Sequence, residues 1–255
     1  MLLPNKNTLF VGKVVLHFPI LDSTNQYALE LLAKSRPSEG TVISAAEQTA
    51  GRGQIGRTWV SEPHKNIAVS IIFYPSFLAV PDQFLLNQAM SLGVADFLSK
   101  YLDGRVKIKW PNDIYAGSRK LAGILIQNTI SGSHMRSSVV GIGINVNQNR
   151  FPADLPNPTS VFLETGKGYE PGPMLEEMYA HLEKRYLQLR SGNTAYLRAD
   201  YRSRLYRLGE NIRFHRREGE VFEGSIQGVD ERGRLMVKRT EAQIESFELQ
   251  ALSYR

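Results

Sequence analysis

The segment Gly51-Arg52-Gly53-Gln54-Ile55-Gly56-Arg57-Thr58-Trp59 has the composition of an anion-binding loop. Three glycines within six residues let the backbone wrap closely around a ligand and expose several N–H donors. Arg52 and Arg57 add positive charge and forked donors that match phosphate. The loop lacks the Gly-Lys-Ser/Thr ending of a P-loop, and no helical pattern follows it as a dinucleotide motif requires; a flexible surface loop is the plain alternative. A second segment, Lys109-Trp110-Pro111-Asn112-Asp113, precedes Lys120-Leu121-Ala122-Gly123-Ile124-Leu125. Pro-Asn-Asp alone signals a turn. A lysine at the start of a buried strand needs a counter-charge, which a bound carboxylate or phosphate can supply. Asp113 suits a divalent cation accompanying a nucleotide, and Gly123 inside a strand pattern suits close approach by a ligand. In Asp22-Ser23-Thr24-Asn25-Gln26, Ser23 and Gln26 match a capping box. The same stretch presents the hydroxyl and amide groups of Ser23, Thr24 and Asn25 to a small polar ligand. Gly141-Ile142-Gly143-Ile144-Asn145-Val146-Asn147 reads as a strand whose glycines open one face, or as a strand packed on a helix. The five histidines form no pair at metal spacing, and no serine has the context of a nucleophile elbow, which argues against a hydrolase.

These segments need a scaffold. A chain of 255 residues, 42% hydrophobic and 22% charged, suits one large domain or a main domain with a small satellite. No apolar run reaches bilayer length, and Met1 to Gly12 lacks the apolar centre of a signal peptide, so a cytoplasmic protein without membrane contact is expected. The absence of cysteine removes disulfides, cysteine-ligated metals and thioester mechanisms. A net charge of +6 favours an anionic partner. Strands are predicted over Thr8 to Phe18, Thr41 to Ala46, Asn66 to Tyr74, Val106 to Lys109, Lys120 to Gln127 and Ser138 to Val146. Helices are predicted after Asp22, from about Asp82 to Tyr101, and through Leu175 to Leu189, with a weaker one over Thr194 to Leu205. From Gly209 short alternating runs separated by glycines indicate a small antiparallel barrel or sandwich, too small to be stable without docking on its neighbour. The reading is α+β: a mixed or antiparallel sheet packed with helices over residues 1–208, then a small β-barrel domain over residues 209–255.

The four segments in this order resemble the biotin protein ligases, over about Asp22 to Asn147 and again in the C-terminal β-domain. The combination of Gly-Arg-Gly…Gly-Arg-x-Trp with Lys-Trp-Pro-Asn-Asp and Lys-Leu-Ala-Gly-Ile-Leu is specific. The resemblance implies a ligase that makes biotinyl-5′-AMP from biotin and ATP with Mg²⁺, releases pyrophosphate, and transfers biotin to one lysine of a biotin carboxyl carrier domain. It implies biotin contacts from Ser23, Thr24, Asn25 and Gln48, and a loop of Arg52, Gly53 and Gln54 closing over biotin and the adenylate. Lys120 is implied at the biotin carboxylate and the phosphate, with Lys120 and Arg52 catalytic. Arg57, Trp59, Lys109, Asn112, Asp113 and Asn145 are implied at the nucleotide, with Asp113 at the metal. No tightly bound prosthetic group is implied, and a monomer or a homodimer is left open. Some family members carry an N-terminal helix-turn-helix and act as repressors; the stretch before the core is too short for it here, so no DNA binding is expected. One departure stands out: many members have a further arginine where this chain has Gln54. Either adenylate retention is weakened, or Arg57 or the Arg213 to Arg217 cluster supplies the charge.

Adenylation brings a carboxylate to an α-phosphorus, two anions, so catalysis is mainly charge neutralisation and positioning. A lipoate ligase performs the same two steps but calls for a longer apolar tunnel with fewer polar ring contacts. An octanoyl transferase needs a cysteine nucleophile. From another class, Arg202, Arg204, Arg207, Arg213, Arg216 and Arg217 against the single acid Glu210 make a stripe that suits a nucleic-acid backbone, or a solvated charged face.

Overall fold

The computed structural model describes residues 7–54, 56–240, 243–249 and 251–254; Ile55 of the glycine-arginine loop and the first six residues of the expected leaderless start lie outside them. The main sheet is built from β1 (Val15–Leu21), β2 (Val42–Gln48), β3 (Ile67–Phe73), β4 (Val106–Lys109), β5 (Asp113–Ala116), β6 (Arg119–Ser131) and β7 (His134–Ile144). Its spatial order is β1-β2-β3-β7-β6-β5-β4, and only β1 and β2 run parallel, joined over α1 (Thr24–Lys34). The sheet is therefore mixed, in keeping with the α+β expectation. β1 begins later than predicted and runs through Pro19, which an edge strand tolerates because one row of its N–H groups has no ladder partner. The Asn112-Asp113 turn opens directly into β5, a strand too short for its alternation to register.

The helices divide the sheet into two faces. α2 (Phe84–Leu102), α4 (Pro171–Arg190) and α5 (Thr194–Ser203) cover one face, and their apolar stripes join Val69, Ile71 and Phe73 in the main core. α3 (Val161–Thr165) is a single short turn that the sequence did not announce. On the opposite face α1 packs Ala28 against Ile43, Ile72 and Val139. β3 is buried along its whole length, as its unbroken apolar sequence anticipates. Ser23 caps α1, its Oγ accepting from Gln26 N at 3.4 Å, but the Gln26 side chain donates to Glu30 instead of closing the capping box. α1 covers only part of its face, and the uncovered remainder is where Gly141 and Gly143 stand in place of larger side chains.

The C-terminal strands β8 (Asn211–Arg216), β9 (Val221–Val229), β10 (Leu235–Thr240), β11 (Gln243–Phe247) and β12 (Leu252–Tyr254) form an antiparallel sheet in the order β11-β10-β9-β8-β12. The expected barrel is an open sheet, with β11 and β12 as its two edges among the described residues. It docks through β4. Lys109 Nζ donates to Tyr254 O at 2.8 Å and, one residue past β4, Trp110 Nε1 donates to Gly233 O at 2.9 Å, while Ile108 N holds the end of α5 through Arg204 O at 2.9 Å. Phe214, Leu235 and Val237 belong to the same continuous apolar cluster as Phe84 and Tyr201, which stabilises a sheet too small to stand alone.

The helical layer is tied by charge. Asp96 of α2 accepts from Arg185 Nε at 2.6 Å and from Arg204 Nη1 at 2.6 Å, while Asp200 of α5 binds Arg185 Nη2 at 2.7 Å and Arg204 Nε at 2.9 Å. Burial alone would raise the Asp96 pKa, but the two guanidinium groups outweigh it and hold the carboxyl below its ordinary range. The stability it contributes is complete above the unfolded carboxylate pKa and is lost as pH falls through the lowered folded value. Asp96→Asn should lower the unfolding free energy by about 3 kcal/mol at neutral pH, because it leaves Arg185 short of its partner. In denaturant titrations the gap from the native chain should close below about pH 4; a gap constant with pH would contradict this role.

Candidate functional site

A single cavity of about 1270 Å³ opens on the α1 face of the main sheet and reaches to β8 and β12. Side chains alternate along a strand, so Val139, Gly141 and Gly143 share one face. Val139 lies under α1, and the two glycines form the cavity floor. Gly123 pairs directly with Gly143 across β6 and β7, which makes a depression two side chains wide. The Trp59 indole fills it: a Cβ on Gly143 would lie 2.7 Å from Trp59 Cζ2, and one on Gly123 would lie 3.3 Å from Trp59 Cζ3. Asn25 uses the gap at Gly141 in the same way, with a hypothetical Cβ 2.7 Å from its Nδ2. These glycines are required by close approach rather than by backbone conformation.

The polar residues at the α1 end are held by their own bonds. Thr24 N and Oγ1 both donate to Gln48 Oε1, at 2.8 and 3.1 Å, and Thr24 Oγ1 lies 2.9 Å from Ser70 Oγ. The Gln48 carbonyl is thus occupied and its amide N–H₂ remains a donor. Asn25 Nδ2 donates to Leu125 O at 3.3 Å, and Asn25 Oδ1 is buried without a partner. Trp59 Nε1 and Asn145 Oδ1 are buried without partners too, the latter residue anchored by its Nδ2 on Thr159 O at 2.9 Å. Buried polar atoms are almost always hydrogen-bonded. Tyr254 Oη is a fourth, and four orphans lining one cavity mark where a ligand brings the missing partners.

The glycine-arginine loop folds back as a short hairpin, with Trp59 N donating to Gly51 O at 2.9 Å and Gly53 N to Arg57 O at 2.9 Å. Arg52 and Arg57 line the cavity and enter no ion pair among the described residues. Lys120 forms an ion pair with Asp113 at 2.6 Å. The counter-charge that the sequence assigned to a ligand is therefore supplied by the chain itself. A β-bulge at Ile114 and Tyr115 shifts the β5–β6 register and brings both side chains beside Gly123. Asn112 Nδ2 is taken by Ile124 O at 2.6 Å, so this residue also pins the turn. The loop of residues 151–158 is drawn in by Lys120, whose N–H donates to Asn157 O at 2.8 Å.

Lys109 is clasped rather than free. Its Nζ donates to Tyr254 O at 2.8 Å and to Tyr115 Oη at 3.2 Å, and sits 5.0 and 4.9 Å over the rings of Tyr115 and Tyr254. Burial, helped by Lys120, Arg207 and Arg57 against the pull of Asp113, lowers its pKa to about 8.

All the residues picked out in the sequence line this one cavity: Ser23, Thr24, Asn25, Gln48, Arg52, Gly53, Gln54, Arg57, Trp59, Lys109, Asn112, Asp113, Lys120 and Asn145. Sequence reading did not select Ser70, Tyr115, Phe151, His215 or Tyr254, which also line it, and took Arg207 only as part of the basic stripe. For most of them no local signal exists, because long-range packing brings them there. Arg213, suggested as a compensating charge, is present, whereas Arg217 is not among the lining residues. The supposed basic stripe is dispersed: Arg204, Arg207, Arg213 and Arg216 each pair with a carboxylate, and Arg202 donates to Gln227 O. Asp113 is the single carboxylate of the cavity, and no group of three His, Cys, Asp or Glu stands together among the described residues. One carboxylate already paired with a lysine does not make a resident metal site.

An α+β fold with this cavity defines a binder of a ligand that is apolar and hydrogen-bonding at one end and anionic at the other. Known proteins agree. Residues 17–145 match the biotin/lipoate A/B protein ligase family, and residues 208–248 match the biotin protein ligase C-terminal domain. The bifunctional ligase/repressor BirA of Bacillus subtilis (strain 168) is 31% identical over 235 residues, covering 91% of this chain and 71% of that protein. The biotin–[acetyl-CoA-carboxylase] ligase of Paracoccus denitrificans is 32% identical over 222 residues, covering 85% and 91%. The Aquifex aeolicus biotin protein ligase, solved in complex with biotin and ATP, superposes with a TM-score of 0.79 at 25% identity over 95% of this chain and 99% of that one. The chain belongs to the biotin/lipoate A/B protein ligase family, and within it to the biotin protein ligases. Among the described residues no helix is long and apolar enough to cross a membrane.

Between pH 8 and 10.5 the unfolded chain holds a proton on Lys109 that the folded chain lacks, so this group makes stability rise with pH in that window. A bound polyanion reverses the balance by favouring the ammonium. Tripolyphosphate binding at pH 8 should therefore take up protons, measured by calorimetry in buffers of different ionisation enthalpy, and the uptake should vanish in Lys109→Met. Equal heats in all buffers would contradict this.

Proposed function

We propose that this chain activates biotin as biotinyl-5′-AMP and transfers it to a specific lysine of a biotin carboxyl carrier domain. The observation that carries the reading is the polarity of the cavity: the unpaired Asn25 Oδ1 and the Gln48 amide over apolar walls at the α1 end, and cationic side chains at the other. Biotin's ureido group offers both donors and acceptors, which Asn25 Oδ1, the Gln48 amide and the Ser23 hydroxyl complement. Its carboxylate then points toward Lys120 and the glycine-arginine loop, where ATP places its phosphates against Arg52 and Arg57, with Trp59, Asn112 and Asn145 along the nucleotide. Mg²⁺ enters as the counter-ion of ATP, with Asp113 as the one cavity carboxylate to meet it. The division into a ligase domain of residues 1–208 and a C-terminal domain of residues 209–255 belongs to the same proposal, supported by the start of the second sheet at Asn211.

In the first half-reaction a carboxylate oxygen attacks the α-phosphorus, and the bond to the β-phosphate oxygen breaks with its electron pair passing to pyrophosphate. Lys120, Arg52 and Arg57 offset the repulsion between the two anions and the charge that grows on the phosphorus oxygens. In the second, the neutral amine of the acceptor lysine attacks the acyl carbon, and AMP leaves. No enzyme nucleophile is needed, which suits a chain without cysteine. Gln54 contributes an amide and no charge at the loop tip; Arg57 and Arg213 on the same cavity supply cations nearby.

Exchange of labelled pyrophosphate into ATP should depend on biotin and ignore lipoate; exchange driven by lipoate alone would overturn the reading. Lys120→Ala should slow single-turnover adenylate formation about 10²- to 10³-fold, the loss typical of one group that stabilises transition-state charge. Its biotin dissociation constant should change by less than about tenfold. Normal adenylation in the variant would remove Lys120 from this role.

A further inference from the structure

One carboxylate stands outside the cavity and takes no part in the two half-reactions. Glu164 of α3 has a side chain 4% exposed, and its Oε1 meets two partners, Arg119 Nη2 at 2.7 Å and Thr159 Oγ1, which donates at 2.7 Å. Its Oε2 pairs with Arg105 Nη1 at 3.1 Å. A buried carboxylate persists only where such partners satisfy it. The first two partners flank Lys120. Arg119 precedes it on β6, and Thr159 N donates to Lys120 O at 2.8 Å.

Lys120 needs this support because the sheet gives it little. β7 ends at Ile144, opposite Ala122, and offers Lys120 no partner. On the other side the β5–β6 register slips between Ile114 and Tyr115, and a bulge disrupts the ladder locally. The segment Asn157-Pro158-Thr159 takes the place of β7, as a parallel bridge between Pro158 and Lys120. Lys120 N donates to Asn157 O at 2.8 Å, and the Asn157 amide donates to Ser118 O in the turn that leads into β6. Asn157 holds a φ of 42°, a left-handed conformation that asparagine adopts more readily than most residues.

We propose that Glu164 and Asn157 are positioning residues for adenylation. Through the segment of residues 157–159 they fix where the Lys120 ammonium stands against the biotin carboxylate and the α-phosphate. The inference rests on the ligase reading above. Lysine carries a point charge on a flexible stem, with no fork to orient it, so the placement of its backbone sets what the ammonium reaches. A misplacement of about 1 Å can cost about a hundredfold in rate. Glu164 is not among the lining residues, and the Asn157 amide is engaged on Ser118, so both act through the chain rather than on the ligand.

Single-turnover formation of biotinyl-5′-AMP separates positioning from general loosening. Asn157→Gly keeps the left-handed backbone and the carbonyl and removes only the amide. Glu164→Gln keeps an acceptor for Thr159 and removes the charge that holds Arg119. Each should slow adenylation about tenfold or more, with the biotin dissociation constant and the half-saturating ATP concentration within about threefold. Because both act through Lys120, neither should slow the reaction by more than about twofold when added to Lys120→Ala. Asn157 is exposed, so its variant decides the matter even where Glu164→Gln does not fold. An unchanged rate in Asn157→Gly, or in a folded Glu164→Gln, overturns the proposal. So does the same fold-loss in the Lys120→Ala background, or a loss matched by weaker biotin binding, either of which would make the two residues general supports of the fold. A native chain that forms no adenylate from biotin and ATP would sink the ligase reading, and the proposal with it.

Discussion

Like charges held close together in one cavity are the constraint on which the rest of this structure depends. Each cation on the wall opposes its neighbours, and the lowered pKa of Lys109 records that opposition together with its burial. Such a wall does not assemble on flexible loops, because the side chains would swing apart into water. Here the scaffold fixes them. Lys120 starts β6, Lys109 ends β4, Arg213 lies on β8, and Arg207 is braced on Tyr206. The repulsion is a preorganised field, available to anions without rearrangement of the protein when they arrive.

Space for the ligand comes from what the sheet leaves out. The paired Gly123 and Gly143 admit the Trp59 indole, and Gly141 admits Asn25, so two ligand-facing groups are set by the absence of Cβ atoms. The end of β4 then links this floor to the C-terminal sheet through two successive residues, Lys109 and Trp110. The turn at Asn112 follows immediately. One short strand therefore both seats the second sheet and leads into the anionic end of the cavity, which is why Arg213 reaches a site formed mainly by the first sheet.

The sequence announced the long helices and central strands because their apolar periodicity is unambiguous over many residues, as in Phe84–Leu102 and Ile67–Phe73. It missed β5, α3 and β12, each five residues or fewer, where no period can register. The first strand was predicted to stop at Phe18, whereas it continues through Pro19, which an edge position accommodates. At the site, the glycine-arginine loop and both motif lysines were legible because their types are chemically unusual for strands and turns. What they do locally was less legible. The lysine counter-charge proved to be Asp113, and the Lys109 ammonium proved to join the two sheets, since neither pairing is visible without the fold. Tyr115 and Tyr254 carried no local signal, and Arg207 was legible only as one arginine of a basic stripe; tertiary packing brings all three to the cavity.

The central claim is that one continuous cavity recognises an apolar, hydrogen-bonding ring at one end and anionic phosphate at the other. Calorimetric titration with biotinyl-5′-AMP tests it most directly. The account expects a single site, competed by biotin alone and by ATP alone, with affinity that weakens as ionic strength rises because charge drives one half of the contact. Binding that only one of the two competitors displaces, or that is indifferent to salt, would contradict it.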